Sequence, residues 1–242
     1  AKYARVTQEK LQLPKSNYAL LESVPEIKPQ TLVENVVYTA SPNLKATLRP
    51  YQIEGVTWLL QHYYNGVGAC LADDMGLGKT LQTIALLVHI HDSLPEKLGE
   101  GGDLFSGITS QKEPLRALVI LPSSLIFNWY DETKRFAPHL KCTQYVGNMA
   151  ERKRKVRRLV NYDIIFSSYP IVERDSKELQ QLDFRYIILD ESQRIKNKNS
   201  KTFKAINGLQ GVHRIALSGT PIENSLSDLW SQMQFINTNI LK

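Results

Sequence analysis

The chain has 242 residues, 42% hydrophobic and 22% charged, which is enough apolar material for one substantial α/β core. No apolar run approaches the roughly 18 residues of a membrane helix and no signal-peptide pattern opens the chain, which favours an intracellular protein. Thirty basic and 24 acidic residues give a formal charge of +6, a mild bias toward polyanionic partners. The two cysteines and five histidines show no metal-ligand spacing, so no structural metal site is expected.

Residues 1–47 carry scattered prolines and weak periodicity, which predicts an irregular lead-in or the tail of a preceding domain. The first residue is Ala rather than Met, and the last residues follow a helical pattern that no closing element ends. We therefore expect an excised piece of a longer protein.

From Leu48 onward, short apolar runs alternate with amphipathic stretches, a pattern typical of βαβ units and a parallel sheet. The predicted strands are residues 67–72, 117–121, 162–166, 186–189 and 214–217. One helix is predicted after Pro122, with Ser123 and Ser124 as caps, and another over residues 226–236. Glycines and prolines between residues 92 and 114 predict a mobile surface loop without catalytic groups.

Residues 67–83 supply an apolar strand, a glycine turn, a Lys-Thr pair and a helical pattern, in the order that phosphate binding requires. Gly76 and Gly78 allow backbone N–H groups to face phosphates at the positive end of a helix. Lys79 would reach the β- and γ-phosphates, and Thr80 could bind Mg²⁺. Asp73 stands where the strict G-x-x-x-x-G-K-S/T pattern has its first glycine, and a glycine turn before a helix is the alternative interpretation.

Two later strands end in polar residues. Residues 186–193 form an apolar run that ends in Asp190 and Glu191, where an α/β sheet places its site. Asp190 would hold Mg²⁺ and Glu191 would orient and deprotonate the attacking water. Residues 214–224 lead into a Ser-Gly-Thr turn, which alone is more often structural than functional.

Four segments together resemble successive helicase motifs, and their residues are similar to those of the SWI/SNF branch of superfamily-two helicases. The resemblance covers about residues 48–236. The segments are LRPYQIEGVTWL from Leu48, DDMGLGKT from Asp73, DESQ with RIKNKNSK from Asp190, and LSGTPIEN from Leu217.

The resemblance implies an ATP site that uses Mg²⁺. Gln52 would read the adenine edge, and Arg49 would be a nearby nucleotide contact. Lys79, Asp190 and Glu191 would be catalytic, with Thr80 and Asp190 as the Mg²⁺ ligands. The remaining nucleotide contacts would come from the phosphate loop: Asp74, Met75, Gly76, Leu77, Gly78, Lys79 and Thr80.

The resemblance also implies coupling and DNA contacts. Gln193, Ser218, Gly219 and Thr220 would couple hydrolysis to lobe movement. In the DESQ segment, residues 190–193, which we call the acid box, Ser192 stands where the family usually has Ala. This difference should tune the site rather than abolish it. The expected DNA contacts are Pro122, Ser123, Ser124, Asn128, Ser168, Tyr169, Lys196 and Lys198. Residues 152–158, six of them basic, could also grip phosphates, although a solvated helix face is the more ordinary interpretation.

These motifs imply that residues 48–242 form the first RecA-like lobe of an ATP-dependent duplex-DNA translocase that remodels or displaces DNA-bound protein. The implied fold is a P-loop NTPase lobe with a mainly parallel central sheet flanked by helices. The second lobe is absent, so this chain should bind nucleotide and hydrolyse it poorly. A strand-separating or RNA-remodelling helicase lobe is one alternative, and a nucleotide-gated scaffold is another.

Overall fold

Strands of one six-stranded parallel sheet form the centre of the protein in the computed structural model, which describes residues 33, 35–97, 111–195, 197–219 and 226–237. The described strands, of which β2 and β3 lie outside this sheet, are β1 (Ala69–Leu71), β2 (Glu96–Lys97), β3 (Gln111–Lys112), β4 (Ala117–Leu121), β5 (Cys142–Gln144), β6 (Ile164–Ser168), β7 (Asp183–Leu189) and β8 (Gln210–Leu217). The helices are α1 (Pro50–Tyr64), α2 (Lys79–Ser93), α3 (Ile126–Phe136), α4 (Met149–Val156), α5 (Tyr169–Arg174), α6 (Ser176–Leu179), α7 (Lys201–Asn207) and α8 (Leu226–Ile236).

The sheet order is β1-β8-β7-β4-β6-β5, and every pairing in it is parallel. Leu71 is in register with Leu217, and Leu121 with Ser168. The segments that follow β1, β4, β6, β7 and β8 therefore leave the sheet at one carboxyl edge, where open α/β sheets bind ligands. The RecA-like parallel sheet expected from the sequence is confirmed.

Both faces of the sheet are covered by apolar side chains, which explains why the central strands are nearly continuous hydrophobic runs. On one face, α1 and α2 pack through residues such as Leu60, Ile84 and Leu87. On the other face, helices α5, α7 and α8 contribute Val172, Ile206 and Phe235, among others. Each such fully buried side chain stabilises the fold by roughly 1.5–3 kcal/mol.

Several predicted boundaries need correction. Strand β1 is only Ala69–Leu71, and β6 begins at Ile164 rather than at residue 162. Strands β7 and β8 begin three and four residues earlier than the patterns indicated. The predicted strands missed β5, a three-residue edge strand. Ser123 and Ser124 do not cap α3: they lie in a 3₁₀ turn, Ser123–Leu125, that precedes it without a side-chain cap.

Regular elements occupy parts of both ends of the segment predicted as a surface loop, residues 92–114. Helix α2 continues through Ser93, and β2 pairs with β3 in a separate antiparallel ladder. The rest of the predicted loop, residues 98–110, lies outside the described residues.

Residues 33 and 35–47, the described part of the predicted lead-in, form no helix or strand, and two of them contribute to the core. Tyr38 and Leu44 are both buried among the residues that pack on α1 and α2. Residues 1–32 and 34 lie outside the described residues. Among the described helices, none is long and apolar enough to cross a membrane.

His213 is a half-buried histidine on β8 that should make the fold sensitive to acid. Its ring lies 4.5 Å from the Tyr63 ring and 5.2 Å from the Tyr186 ring, centroid to centroid. Its Nδ1 has no hydrogen-bond partner among the described residues. Burial, and then the charge of Arg185, lower the pKa of His213 to about 4.

Because the folded-state pKa is lowered, the neutral imidazole stabilises the fold fully above the unfolded pKa of about 6.5, and this contribution is lost as the pH falls toward 4. We expect about 2 kcal/mol of loss from this residue, discounted for the ring's partial exposure. In urea titrations at pH 7 and pH 4, His213→Phe should lose correspondingly less stability than wild type. Equal losses in the two proteins would refute this assignment.

Candidate nucleotide and DNA site

The phosphate loop between β1 and α2 has a backbone that only glycine adopts without strain. Gly76 and Gly78 have φ values of +86° and +77°, in the left-handed region. A Cβ on Gly78 would also lie 2.5 Å from Nε2 of Gln52. This turn delivers the chain to the N-terminus of α2 at Lys79, where free N–H groups and the helix dipole favour an anion.

Lys79 is held inside its own loop. Its Nζ donates to the carbonyl oxygens of Asp73, at 2.6 Å, and Asp74, at 3.0 Å. Asp73, which replaces the first glycine of the strict motif, accepts a hydrogen bond from Nε2 of Gln82 at 3.0 Å. Gln82 is a buried residue of α2, so a side-chain contact fastens this loop at the position where the strict pattern has a glycine.

Gln52 joins α1 to the phosphate loop. Its Nε2 donates to the Leu77 carbonyl oxygen at 3.3 Å, and its Oε1 accepts from the Arg49 backbone N–H at 2.9 Å. Gln52 is buried, whereas Arg49 is exposed at the helix start. The structure therefore places Gln52 on the loop, and its reading of the adenine edge stays a prediction.

The Asp190 carboxylate is fixed where β7 ends. Its Oδ2 accepts from the indole Nε1–H of Trp129 at 2.8 Å, and its Oδ1 accepts from the backbone N–H of Glu191 at 3.0 Å. Burial raises the pKa of the Asp190 carboxyl, while these two hydrogen bonds and the charge of Lys79 oppose the rise. A nearby cation would relieve this unfavourable burial of charge.

Glu191 occupies a strained backbone position and has a defined partner. Its φ is +50°, a conformation that non-glycine residues adopt at a cost of about 1 kcal/mol. Its Oε2 accepts from Nε2 of Gln193 at 2.6 Å, and Oε1 of Gln193 accepts from the Ser218 hydroxyl at 3.2 Å. Gln193 thus bridges the carboxylate and the first residue of the Ser-Gly-Thr turn.

That turn lies against the phosphate loop because β8 pairs with β1. The Ser218 N–H donates to the Leu71 carbonyl oxygen at 3.2 Å. A Cβ on Gly219 would lie 2.9 Å from Cγ of Met75, so glycine permits this close approach. Thr220, the last predicted coupling residue, lies outside the described residues.

Ser192, the departure from the usual acid box, has a structural partner. It is buried, and its hydroxyl donates to Oε1 of Gln232 on α8 at 3.1 Å. The hydroxyl therefore ties the acid box to the helix that follows the Ser-Gly-Thr turn.

Beside the acid box, a surface cleft of about 470 Å³ opens at the carboxyl ends of β4 and β6. Its lining contains four of the predicted DNA contacts and two arginines that were not predicted. The lining residues are Pro122, Ser123, Ser124, Tyr169, Pro170, Glu173, Arg174, Arg194 and Thr202.

Tyr169 connects this cleft to the acid box. Although it lines the cleft, its side chain is largely buried and its hydroxyl donates to the backbone carbonyl of Asp190 at 2.7 Å. Burial raises the pKa of Tyr169 well above its usual range, so the hydroxyl stays protonated, and able to donate, even in alkaline solution.

The other predicted DNA contacts vary in accessibility. Asn128 and Lys198 are exposed, whereas Ser168 is only 3% exposed and offers little surface to a ligand. Lys196 lies outside the described residues. In the basic segment 152–158, Arg152 is buried and pairs with Asp175, with Nε 2.6 Å from Oδ2, so it is not available to grip a phosphate.

At the acid box, Trp129 is a functional residue that the sequence did not reveal. A tryptophan within a helical pattern predicts a core position, and the side chain is indeed buried. The additional role is its indole donor, which orients the Asp190 carboxylate. The sequence offered one indication of this role: Trp129 lies in the segment that follows β4 at the carboxyl edge of the sheet.

Trp129→Phe should therefore weaken Mg²⁺-dependent ATP binding. Losing the indole donor leaves part of a buried carboxylate unsatisfied, at a cost of about 1–2 kcal/mol in stability. By analogy with residues that orient metal ligands, the Mg²⁺ concentration for half-maximal ATP binding should rise about tenfold. Trp58→Phe, on α1 and away from the acid box, is the matched control. An unchanged Mg²⁺ dependence would show that the indole contributes packing alone.

The parallel sheet, the glycine loop at a helix N-terminus and the Asp-Glu pair at the same edge define a RecA-like lobe of a P-loop ATPase. Residues 51–242 match the family described as SNF2-related domain, and the chain belongs to that family. It is an SNF2-family ATPase domain of the kind found in chromatin remodellers and translocases, which confirms the resemblance noted in the sequence.

The similarity of the chain to individual relatives agrees with this family assignment. The chain is 41% identical over 217 residues to a "Putative ATP-dependent helicase/translocase YwqA" of Bacillus subtilis, covering 89% of this chain and 22% of that protein. It is 38% identical over 224 residues to "Chromatin-remodeling ATPase INO80" of Drosophila melanogaster, covering 89% and 13%. The solved "Sulfolobus solfataricus SWI2/SNF2 ATPase core in complex with dsDNA" is 41% identical, with a TM-score of 0.69 and coverage of 85% and 38%. The chain therefore spans less than a quarter of these curated relatives.

Proposed function

We propose that this chain is the ATP-binding lobe of a motor that moves along duplex DNA and remodels or displaces protein bound there. One observation carries the proposal: Tyr169 lines the surface cleft while its hydroxyl donates to the backbone of Asp190. A ligand in the cleft and a nucleotide at the acid box would therefore act on the same short segment. A DNA substrate also favours an intracellular location: the cytoplasm or nucleoid in a prokaryote, or the nucleus in a eukaryote.

ATP would bind at the phosphate loop. Gly76, Gly78 and the start of α2 present N–H groups, and the Lys79 ammonium would exchange its loop carbonyls for phosphate oxygens. Asp190 and Thr80 would hold Mg²⁺, and the partly buried Asp190 carboxylate, next to the carboxylate of Glu191, suits a cation. When bound, Mg²⁺ would neutralise charge on the phosphate oxygens.

Glu191 orients the attacking water and accepts its proton. The bond from Gln193 fixes the direction of the Glu191 carboxylate, and the Ser218 hydroxyl fixes Gln193 in turn. Movement of the Ser-Gly-Thr turn would therefore change the position of the base, which gives hydrolysis a route to lobe movement.

Efficient hydrolysis would require a second RecA-like lobe. On the phosphate loop, Met75 is 79% exposed and Leu77 37% exposed, so the site presents apolar side chains that a facing surface could cover. An arginine supplied from a second lobe contributes about 10³–10⁵ in rate in related phosphoryl transfers. The solved Sulfolobus core, of which this chain covers 38%, is long enough to include such a lobe.

The cleft has the chemistry of a DNA-backbone site rather than a base-reading site. Ser123 and Ser124 are exposed hydroxyl donors, and Arg174 and Arg194 supply exposed positive charge. Contacts from such groups to phosphates fix the position of the protein on DNA and carry no sequence information. The solved relative bound to dsDNA supports duplex as the ligand.

A binding experiment tests the DNA assignment. Fluorescence anisotropy with a short duplex, the matching single strand and an RNA of equal length should show the tightest binding for duplex. Arg194→Ala should weaken duplex binding about tenfold and reduce the slope of log affinity against log salt by about one. Arg135→Ala, an exposed arginine on α3, is the control for lost charge. Tighter binding to RNA or single strands would overturn the duplex assignment.

A further inference from the structure

A cluster of two histidines and an aspartate lies at the amino edge of the sheet, opposite the nucleotide site. His91 and Asp92 are in the last turn of α2, and His139 follows α3. One ligand atom from each of these three residues lies within 4.8 Å of the others. His91 and His139 are 48 residues apart in the sequence, so no spacing pattern reveals the cluster.

The three candidate ligand atoms are somewhat farther apart than the ligand atoms around a bound transition metal. Oδ1 of Asp92 lies 3.5 Å from Nδ1 of His91 and 4.0 Å from Nε2 of His139. Ligand atoms around tetrahedral Zn²⁺, with bonds of about 2.0–2.1 Å, are about 3.4 Å apart. Small side-chain rotations would therefore bring the three atoms to bonding distance, and water would complete the shell.

The groups behind the ligands are arranged as a metal site requires. Asp92 accepts hydrogen bonds from the Ser41 hydroxyl and the Asn43 amide, which hold its carboxylate in place. Behind His91, Oδ1 of Asp163 lies 3.8 Å from Nε2. This distance is longer than a hydrogen bond, but a small ring movement would let Nε2–H donate to Asp163, and a carboxylate is one of the usual partners that orient a histidine ligand.

Asp163 is itself an immobile residue. It is 4% exposed, and its two oxygens accept from the backbone N–H groups of Leu115 and Lys141 at 3.0 and 2.8 Å. This carboxylate is therefore already fixed in the position from which it faces His91. The position of Asp163 therefore supports a metal site independently of the distances between the three candidate ligands.

The local charge also favours a cation. With both imidazoles neutral, Asp92 and Asp163 contribute two negative charges, and the nearby ammonium of Lys112, which donates to the Asp92 carbonyl at 2.9 Å, contributes one positive charge. The C-terminal end of α2 adds further negative potential. A divalent ion would meet a net negative site.

We propose that His91, Asp92 and His139 bind a divalent transition-metal ion, with Zn²⁺ best matching the two nitrogens and one oxygen. The ion joins the end of α2, whose first residue is Lys79, to the segment after α3, and Asp92 links it to the 41–43 segment. Its role is structural: it fixes the far end of the helix that carries the phosphate loop.

Titration of the chelator-treated 242-residue chain with Zn²⁺ alone, by calorimetry, tests this proposal. We expect one saturable site per chain, a rise in unfolding temperature with Zn²⁺, and a tetrahedral visible spectrum when Co²⁺ replaces it. His139→Ala should weaken Zn²⁺ binding at least tenfold and abolish the thermal shift. Because His139 is exposed, this variant should fold normally without metal.

Two control variants make the result specific. His62→Ala, on α1, and Asp190→Asn, at the nucleotide site, should both retain Zn²⁺ binding, whereas Asp92→Asn should lose it. Failure to saturate at micromolar Zn²⁺, or equal binding by His139→Ala and wild type, would overturn the site. Either result would leave the proposed ATP and DNA functions unaffected, since this inference does not depend on them.

Discussion

Glu191→Gln should lower the rate of ATP hydrolysis about 10³-fold while leaving ATP affinity nearly unchanged. The amide keeps the shape of the side chain and can still meet Gln193, but it cannot accept a proton from water. The measurement is kcat in a polypeptide that joins this chain to a second RecA-like lobe, together with the Kd of a fluorescent ATP analogue.

Glu178→Gln, an exposed glutamate on α6, is the matched control and should hydrolyse ATP at the wild-type rate. If Glu191→Gln retained a tenth or more of the wild-type rate, another group would have to be the base, which would contradict the assignment made from the acid box.

Lys79→Ala should act on binding as well as on chemistry. Losing the ammonium removes charge-assisted hydrogen bonds to the phosphates worth roughly 3 kcal/mol, so ATP affinity should fall about 10²-fold. It also frees the carbonyl oxygens of Asp73 and Asp74 that Lys79 now holds. Equilibrium binding of the fluorescent analogue to the 242-residue chain measures this effect without needing turnover.

Lys134→Ala, an exposed lysine on α3, controls for the lost positive charge. The two site variants should therefore differ in kind: Glu191→Gln binds ATP and does not hydrolyse it, whereas Lys79→Ala binds it poorly. ATP affinity that is unchanged in Lys79→Ala would place the phosphates elsewhere on the protein.

The local parts of the site could be predicted from the sequence because their geometry is set within a few residues. A strand, a glycine turn and a helix start fix the surroundings of Lys79, and a buried strand that ends in two carboxylates fixes those of Asp190 and Glu191. The parallel sheet followed from the same alternation of apolar runs and helices.

The parts that were not predicted are contacts between distant segments. Trp129 and Asp190 are 61 residues apart, and helical periodicity reports only that the indole is buried. The cluster of His91 and His139 depends on how two helices end over the sheet. Ser123 and Ser124 suited a helix cap, but a 3₁₀ turn precedes α3 instead, and local preference does not distinguish the two.

Duplex DNA in the cleft should control hydrolysis at the acid box, because Tyr169 connects the two. The most direct measurement is steady-state ATP turnover by the two-lobe polypeptide without nucleic acid and with duplex DNA, single-stranded DNA or RNA, with Glu191→Gln as the blank. We expect strong stimulation of turnover by duplex DNA, which Glu191→Gln should abolish. Equal or greater stimulation by single strands or RNA would contradict it, and absence of turnover under every condition would favour a nucleotide-gated scaffold.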